Sequence, residues 1–168
     1  MNHLLCFGLG YSARALVAKF DKTAWKISAT ARSPEGIAEI ESHGIRGLLF
    51  DSTLRIAPDV THILISVPPD ETGDPALKLF AEELRHSKHL TWVGYLSTTG
   101  VYGDRGGDWV DEDSLLEPDT ARGQKRLEAE RGWMRLHAAL QVPGLRRHAR
   151  CRPDGAGSFG VAAAIECP

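Results

Sequence analysis

Apolar residues in the first 140 positions form short runs that alternate with stretches of helical period. Five such runs, bounded by turn-forming residues, predict buried strands. They lie at residues 4–7, 25–31, 45–50, 62–67 and 90–96. Between and after them, apolar positions recur at i, i+3, i+4 and i+7, which predicts amphipathic helices, the last of them long and covering residues 120–140.

Strands that alternate with helices through short loops indicate a parallel sheet covered on both faces. We therefore predict an α/β fold with a doubly wound parallel sheet of the Rossmann type. The pattern stops after the fifth strand and the helix that follows it, so the expected sheet is incomplete. In such sheets, ligands bind beyond the carboxyl ends of the strands.

A glycine-rich turn follows the first strand. Gly8 and Gly10 allow the backbone to turn tightly and leave room for a pyrophosphate, and Ala13 is small enough for the next helix to pack on the strand. Tyr11 and Ser12 open that helix, whose free N–H groups and positive dipole end attract an anion. The turn predicts a site for the phosphates of a dinucleotide.

The end of the second strand bears on which dinucleotide binds. An acidic residue there would accept hydrogen bonds from the ribose of NAD, but the chain has Arg32 and Ser33. A guanidinium and a hydroxyl suit a 2′-phosphate, so NADP is preferred over NAD, unless Arg32 is only a solvated loop residue. Asp51, after the third strand, either reaches the adenine amino group or terminates the strand.

Polar and small residues also follow the fourth and fifth strands. Ser66, Val67 and Pro68 end the fourth strand, and Ser97-Thr98-Thr99 ends the fifth. Because the carboxyl ends of parallel strands share one edge of the sheet, we expect all of these to line the cofactor crevice.

Composition narrows the classes of partner. The formal net charge of -2 gives no general attraction to nucleic acid or to anionic lipid, so a small-molecule substrate is favoured over both. Apolar runs are too short for a membrane span and no signal peptide is evident, so a cytoplasmic location is expected. The three cysteines are too few and too scattered for a disulfide framework or a metal site.

A more specific pattern lies in the middle of the chain. The stretch Leu96-Ser-Thr-Thr-Gly-Val-Tyr-Gly-Asp104, followed by an acidic loop, resembles the extended short-chain dehydrogenases/reductases, the NAD-dependent epimerase/dehydratase family. Together with the glycine turn, the resemblance spans about residues 3–140. It implies NAD(P)-dependent oxidoreductase or epimerase chemistry on a sugar nucleotide or another hydroxyl or carbonyl substrate. Thr98 then takes the place of the Ser/Thr that polarises the substrate oxygen, although many such threonines merely end strands.

The next helix departs from that family. Its catalytic Y-x-x-x-K pair aligns with Arg122 and Arg126. An arginine stays protonated, so Arg122 cannot exchange the proton that hydride transfer requires, whereas Arg126 retains the ability to bind a ribose or a phosphate. Tyr102 is the nearby phenol that offers a substitute acid/base, although in the family it is usually a packing residue. The alternative is a catalytically inactive dinucleotide-binding sensor or a truncated remnant, as in atypical members of the superfamily.

The C-terminal stretch is the second departure. Residues 1–142 are predicted to form the NAD(P)-binding domain, and residues 143–168 an irregular tail that replaces the remaining strands and the substrate lobe. Clustered arginines at 146, 147, 150 and 152 do not suit a buried strand, and without interleaved aromatics they do not favour nucleic-acid binding. Truncation before the remaining strands is the expected explanation, with a shifted reading frame as one origin and a native tail as the alternative. The resemblance further implies a homodimer paired through long helices, on one of which lie Glu128, Trp133 and Leu136.

Overall fold

A five-stranded parallel sheet forms the centre of the molecule. The computed structural model describes residues 1–140 and, beyond them, residues 146–148, 150–151 and 164–166. The strands are β1 (Asn2–Phe7), β2 (Trp25–Ala31), β3 (Arg46–Leu49), β4 (His62–Ile65) and β5 (Trp92–Tyr95), in the order β3-β2-β1-β4-β5. The helices of the described part are α1 (Tyr11–Val17), α2 (Pro34–Ser42), α3 (Pro75–Arg85) and α4 (Ala121–Leu140). The predicted doubly wound α/β fold is confirmed.

The sheet is covered on both faces, as the alternation of side chains along β1 requires. Leu4 and Cys6 belong to the core on the side of α1 and α2, which also holds Ala13 and Ile40. Residues of opposite parity belong to the other core, where Phe7 stacks on Phe80 of α3 with ring centroids 4.9 Å apart. Strands β1 and β4 are therefore apolar over residues 4–7 and 63–65, because neither face of the sheet meets water there.

Local signals set the helix ends. Ser33 Oγ accepts a hydrogen bond from Gly36 N at 3.2 Å, and Asp74 Oδ1 accepts one from Leu77 N at 2.8 Å. In both helices a proline occupies the first turn, where it needs no N–H partner. Helix α1 is shorter than its apolar period suggests. It ends at Val17, and Phe20 lies beyond it, stacked on Trp25 at 4.7 Å.

The chain after β5 has less regular structure. A 3-10 turn covers Thr99–Val101, and β6 is only Val110–Asp111. Of the predicted irregular tail, the structure describes the strands β7 (Arg146–His148), β8 (Arg150–Cys151) and β9 (Ala164–Glu166). Strand β6 pairs antiparallel with β8, and β7 with β9. The other residues from 143 onward lie outside the described ones, so the predicted boundary at 142 stays a prediction.

None of the helices in the described ranges combines the length and the apolar character that crossing a membrane demands.

Candidate functional site

The carboxyl ends of the five parallel strands bring the predicted site residues to one edge of the sheet. The strand order changes direction at β1, since β2 and β3 lie on one side of it and β4 and β5 on the other. In α/β sheets, ligands bind in the crevice at such a change of direction, which here falls between the loops after β1 and β4. Residues that follow the strand ends at this edge are Gly8, Arg32, Asp51, Ser66 and Ser97.

The glycine turn after β1 lies directly against the loop after β4. Gly8 has φ +81°, and a Cβ placed on it would approach Val67 Cγ1 to 3.0 Å. Its N–H donates to Thr30 Oγ1 on β2 at 3.0 Å, which anchors the turn. A Cβ on Gly10 would lie 3.4 Å from Ser66 Oγ. The two missing side chains leave a backbone-lined cradle that fits the close approach of a pyrophosphate.

Helix α1 begins at this cradle, and no capping side chain accepts a hydrogen bond from the backbone N–H groups of its first turn. Gly10 is the N-cap and provides no side-chain cap, and the first helical bond runs from Arg14 N to Gly10 O at 2.9 Å. The N–H groups before Arg14 are thus oriented toward the crevice without intrahelical acceptors. Ala13 is fully buried against the sheet, Ser12 is half-buried, and Tyr11 is exposed. Each lies where the turn motif predicts.

Ser66 and Val67 form the opposite wall of the cradle. Ser66 N donates to Phe7 O at 2.9 Å, which continues the β1–β4 pairing by one step and holds this loop in register with the glycine turn. Ser66 and Val67 are half-buried, and Pro68, which follows them, is exposed. The structure therefore brings Ser66 and Val67 next to the glycine turn, and the contact of all three residues with a cofactor stays a prediction.

Arg32 and Ser33, at the end of β2, differ in their contacts: the Arg32 guanidinium is free of protein partners among the described residues, and the Ser33 hydroxyl is hydrogen-bonded. Arg32 is exposed and, among the described residues, makes no ion pair or hydrogen bond through its guanidinium. Ser33 Oγ caps α2 and also donates to the Glu35 carboxylate. Hydrogen bonds from the N–H of Glu35 itself and from Ser33 lower the pKa of Glu35, so its carboxylate carries a negative charge three positions after Arg32 in the sequence. The sequence interpretation had not considered Glu35.

Asp51 is engaged locally at the end of β3. Its Oδ1 accepts hydrogen bonds from Thr53 Oγ1 at 2.6 Å, Thr53 N at 2.8 Å and Leu54 N at 3.2 Å. These bonds lower the pKa of Asp51, that from the Thr53 hydroxyl most. These contacts fit the alternative in which Asp51 terminates the strand. Its other oxygen, Oδ2, makes no hydrogen bond among the described residues.

The loop after β5 is held by α4 through a buried carboxylate. Ser97 Oγ donates to Glu130, whose side chain is fully buried. Thr98 caps the following 3-10 turn, since its Oγ1 accepts from Gly100 N at 3.3 Å, and it remains half-buried. The strand-end role of Thr98 is therefore visible, and its predicted contact with a substrate oxygen stays a proposal.

The two arginines at the family's catalytic places have different surroundings. Arg122 is exposed. Arg126 is buried, and its Nη1 donates to Leu96 O at 2.8 Å and to Tyr95 Oη at 3.2 Å. These contacts tie α4 to the end of β5, so they favour a structural role for Arg126 over the predicted contact with the cofactor. Burial raises the pKa of Tyr95 to about 12, so this phenol stays protonated near neutral pH.

Tyr102 lies in a packing position. Its side chain is 1% exposed and belongs to a small core with Val101, Val110 and Leu127. This enclosure favours the packing alternative for Tyr102. Its role as a substitute acid/base stays a prediction.

Two buried polar residues near the site, Thr30 and Glu130, were not singled out from the sequence. Thr30 anchors the glycine turn, and Glu130 holds Ser97. Asp74 caps α3 and accepts a hydrogen bond from Trp133 Nε1 on α4 at 3.1 Å, and burial raises the pKa of its carboxyl. The glutamate of the Leu-x-x-Glu segment was a usable signal for Glu130. Among the described residues, no group of His, Cys, Asp or Glu is arranged to hold a metal ion.

Comparisons with known proteins agree with this architecture. No protein-family model matches the sequence, and neither does any curated protein. Among solved structures, a functionally unknown conserved protein from Silicibacter pomeroyi DSS is 41% identical, with a TM-score of 0.75 over 81% of this chain and 50% of that one.

Two enzymes solved in complex with NAD are more distant neighbours. The dTDP-glucose 4,6-dehydratase of Bacillus anthracis str. Ames is 17% identical, with a TM-score of 0.66 over 85% of this chain and 52% of that one. The UDP-glucuronic acid 4-epimerase of Bacillus cereus is 17% identical, with a TM-score of 0.62 over 88% of this chain and 59% of that one. The chain spans about half the length of the structures it matches, and it has the Rossmann-type α/β fold of epimerase and dehydratase enzymes.

Proposed function

We propose that the chain binds a nicotinamide dinucleotide in the crevice between the loops after β1 and β4. The observation that carries this proposal is the cradle formed by Gly8 and Gly10, where a Cβ would meet Val67 and Ser66. Gly10 begins a helix whose first N–H groups have no side-chain cap, so the cradle supplies backbone donors to an anion. Solved neighbours of the same fold carry NAD at low sequence identity, which supports the same class of ligand.

NADP remains the preferred form in this proposal, because Arg32 is exposed and has no acid partner among the described residues. A guanidinium in this place donates charge-assisted hydrogen bonds to a 2′-phosphate, each contributing about 1.5–3 kcal/mol. Glu35, beside Ser33, opposes this preference through its negative charge. In this proposal, the balance between attraction of the 2′-phosphate by Arg32 and its repulsion by Glu35 sets the preference between NADP and NAD. NAD is the form held by the solved neighbours.

Two substitutions test that competition. Titration calorimetry of Arg32→Gln should show roughly tenfold or greater loss of affinity for NADPH with little change for NADH. Glu35→Gln should shift the preference the other way, toward NADPH. Equal losses for NADPH and NADH in Arg32→Gln would show that Arg32 does not read the 2′-phosphate.

The proposed activity is NAD(P)-dependent oxidoreductase or epimerase chemistry on a sugar nucleotide or another hydroxyl or carbonyl substrate. When bound, the dinucleotide would supply the hydride acceptor or donor. Thr98, half-buried at the end of β5, would orient the reacting oxygen of the substrate. Two features support this activity: the chain keeps the Ser97-Thr98-Thr99 motif of the family that it resembles, and Ser97 donates a hydrogen bond to Glu130. A protein that only binds the dinucleotide has no evident need for them.

The second candidate is a dinucleotide-binding protein without hydride chemistry. It is favoured by the exposed Arg122 at the place of the family's tyrosine and by the burial of Arg126, Tyr95 and Tyr102. Stopped-flow absorbance at the reduced-nicotinamide band, with NADPH bound and a panel of sugar nucleotides added, separates the two. Oxidation of the cofactor by any member supports the enzyme, and a flat trace with bound cofactor supports the binding protein.

A homodimer is proposed through α3 and α4. Trp133 and Leu136 are buried within the subunit and do not face a partner, whereas Leu79 and Met134 are 41% and 39% exposed. Light scattering coupled to gel filtration should show a dimer in the wild type and a monomer in Leu79→Lys/Met134→Lys. A monomeric wild type would contradict the proposal.

A further inference from the structure

A large cavity lies outside the crevice, along α1 and at the amino ends of β2 and β3. Its volume is about 1080 Å³, which is enough for an organic ligand. Its floor is apolar and is formed by Val17, Trp25, Ile27 and Ile45. Tyr11, the first residue of α1 and a member of the predicted cofactor site, also lines this cavity, so the two sites adjoin along α1.

The charged residues of the lining are all basic. They are Arg14, Lys22, Lys26 and Arg46, and no aspartate or glutamate is among the lining residues. Cations that converge on a partly desolvated cleft raise the local concentration of anions.

Two of these cations are free for a ligand. Arg14 is paired with Glu39 at 2.6 Å and Lys26 with Asp59 at 2.6 Å, and both acids lie outside the lining. Lys22 and Arg46 have no ion pair among the described residues; Lys22 Nζ only donates to His43 O at 3.5 Å. Both flank the Gly44–Ile45 segment, at one end of the apolar floor.

We propose that this cavity binds an amphipathic organic anion, with an aromatic or acyl body on the apolar floor and a carboxylate, sulfonate or phosphate group at Lys22 and Arg46. The apolar body would gain from burial against Trp25 and Ile27, and the anion from two cations without competing acids. This site is independent of the proposed dinucleotide site, because it requires no residue of the Gly8–Gly10 cradle.

The full chain can be tested with 1-anilinonaphthalene-8-sulfonate as the anionic probe and N-phenyl-1-naphthylamine as its neutral counterpart. We expect saturable one-to-one fluorescence enhancement by the sulfonate. Lys22→Glu should weaken this binding about fivefold, as expected for an exposed ion pair that is reversed. The matched control is Lys19→Glu, an equal charge change at an exposed position outside the lining, which should leave the affinity unchanged.

Three outcomes would overturn the proposal. One is the absence of saturable sulfonate binding to the folded chain. Another is an equal effect of Lys22→Glu and Lys19→Glu, or an equal effect of Lys22→Glu on the neutral probe. The third is displacement of the sulfonate by NADH or NADPH, which would place the probe in the crevice. Failure of dinucleotide binding itself leaves the expected probe results unchanged, so the two proposals fail separately.

Discussion

The hydroxyl of Ser97, at the carboxyl end of β5, donates a hydrogen bond to the carboxylate of Glu130, which is fully buried on α4. One turn earlier on the same helix, Arg126 donates to Leu96 O at 2.8 Å. The helix that carries the catalytic pair in the family resembled by the sequence therefore contacts the strand end here through two partly buried hydrogen bonds. This arrangement positions Thr98 without a tyrosine or lysine at the site.

Glu130 is expected to matter for stability because removing it leaves the Ser97 hydroxyl without this acceptor and leaves a cavity. Glu130→Ala should lower the free energy of unfolding by about 3 kcal/mol, and Glu130→Gln, which keeps an acceptor oxygen, by about 1 kcal/mol. Urea denaturation followed by circular dichroism measures both. Glu128→Ala, exposed on the same helix, is the control and should cost less than about 0.5 kcal/mol. Equal costs at 128 and 130 would contradict the role of the buried contact.

Arg126 and Arg122 form a matched pair for separating structure from ligand binding. Arg126→Met keeps the apolar stem but removes the donor to Leu96 O and Tyr95 Oη. The free energy of unfolding should therefore fall by about 2 kcal/mol. Arg122→Met, at an exposed position, should change stability by less than about 0.5 kcal/mol. At a temperature where both variants are folded, dinucleotide affinity should be unchanged in each. A loss of dinucleotide affinity in Arg126→Met alone would support the predicted contact between Arg126 and the cofactor.

Much of this architecture could be anticipated from local patterns. Strand and helix periods, the Ser33-Pro34 and Asp74-Pro75 helix starts and the strand-end glycines all depend on residues close in sequence. The polar contacts that shape the site could not be anticipated in the same way. Gly8 and Thr30 are 22 residues apart, and Ser97 and Glu130 are 33 apart, so only the packing of strands and helices brings them together. The burial of Tyr102 likewise depends on α4 closing over the loop.

Asp59 gives the stability a specific dependence on pH. A hydrogen bond from Lys26 and a second from His3 lower the pKa of the Asp59 carboxyl to about 2, against an ordinary value of 3.8. Because the folded pKa is the lower one, the contribution is fully present above pH 3.8 and is lost as the pH falls toward 2. The urea midpoint of Asp59→Asn should therefore lie below that of the wild type at pH 7 and should meet it near pH 2.

The exposed Asp108 offers the control for that experiment. Asp108→Asn should follow the wild type at every pH. A constant gap between Asp59→Asn and the wild type from pH 7 to pH 2 would show that the carboxylate contacts at Lys26 and His3 do not stabilise the fold.

Titration calorimetry of NADPH and NADH into the full chain tests the central claim, dinucleotide binding in the Gly8–Gly10 cradle. Gly10→Ala is the informative variant, because its methyl would lie 3.4 Å from Ser66 Oγ, in the space left for the pyrophosphate, while φ at residue 10 is −71° and tolerates alanine. We predict one-to-one binding by the wild type and at least roughly tenfold weaker binding by Gly10→Ala at an unchanged Tm. Absence of binding of both dinucleotides to the folded wild type would contradict the account.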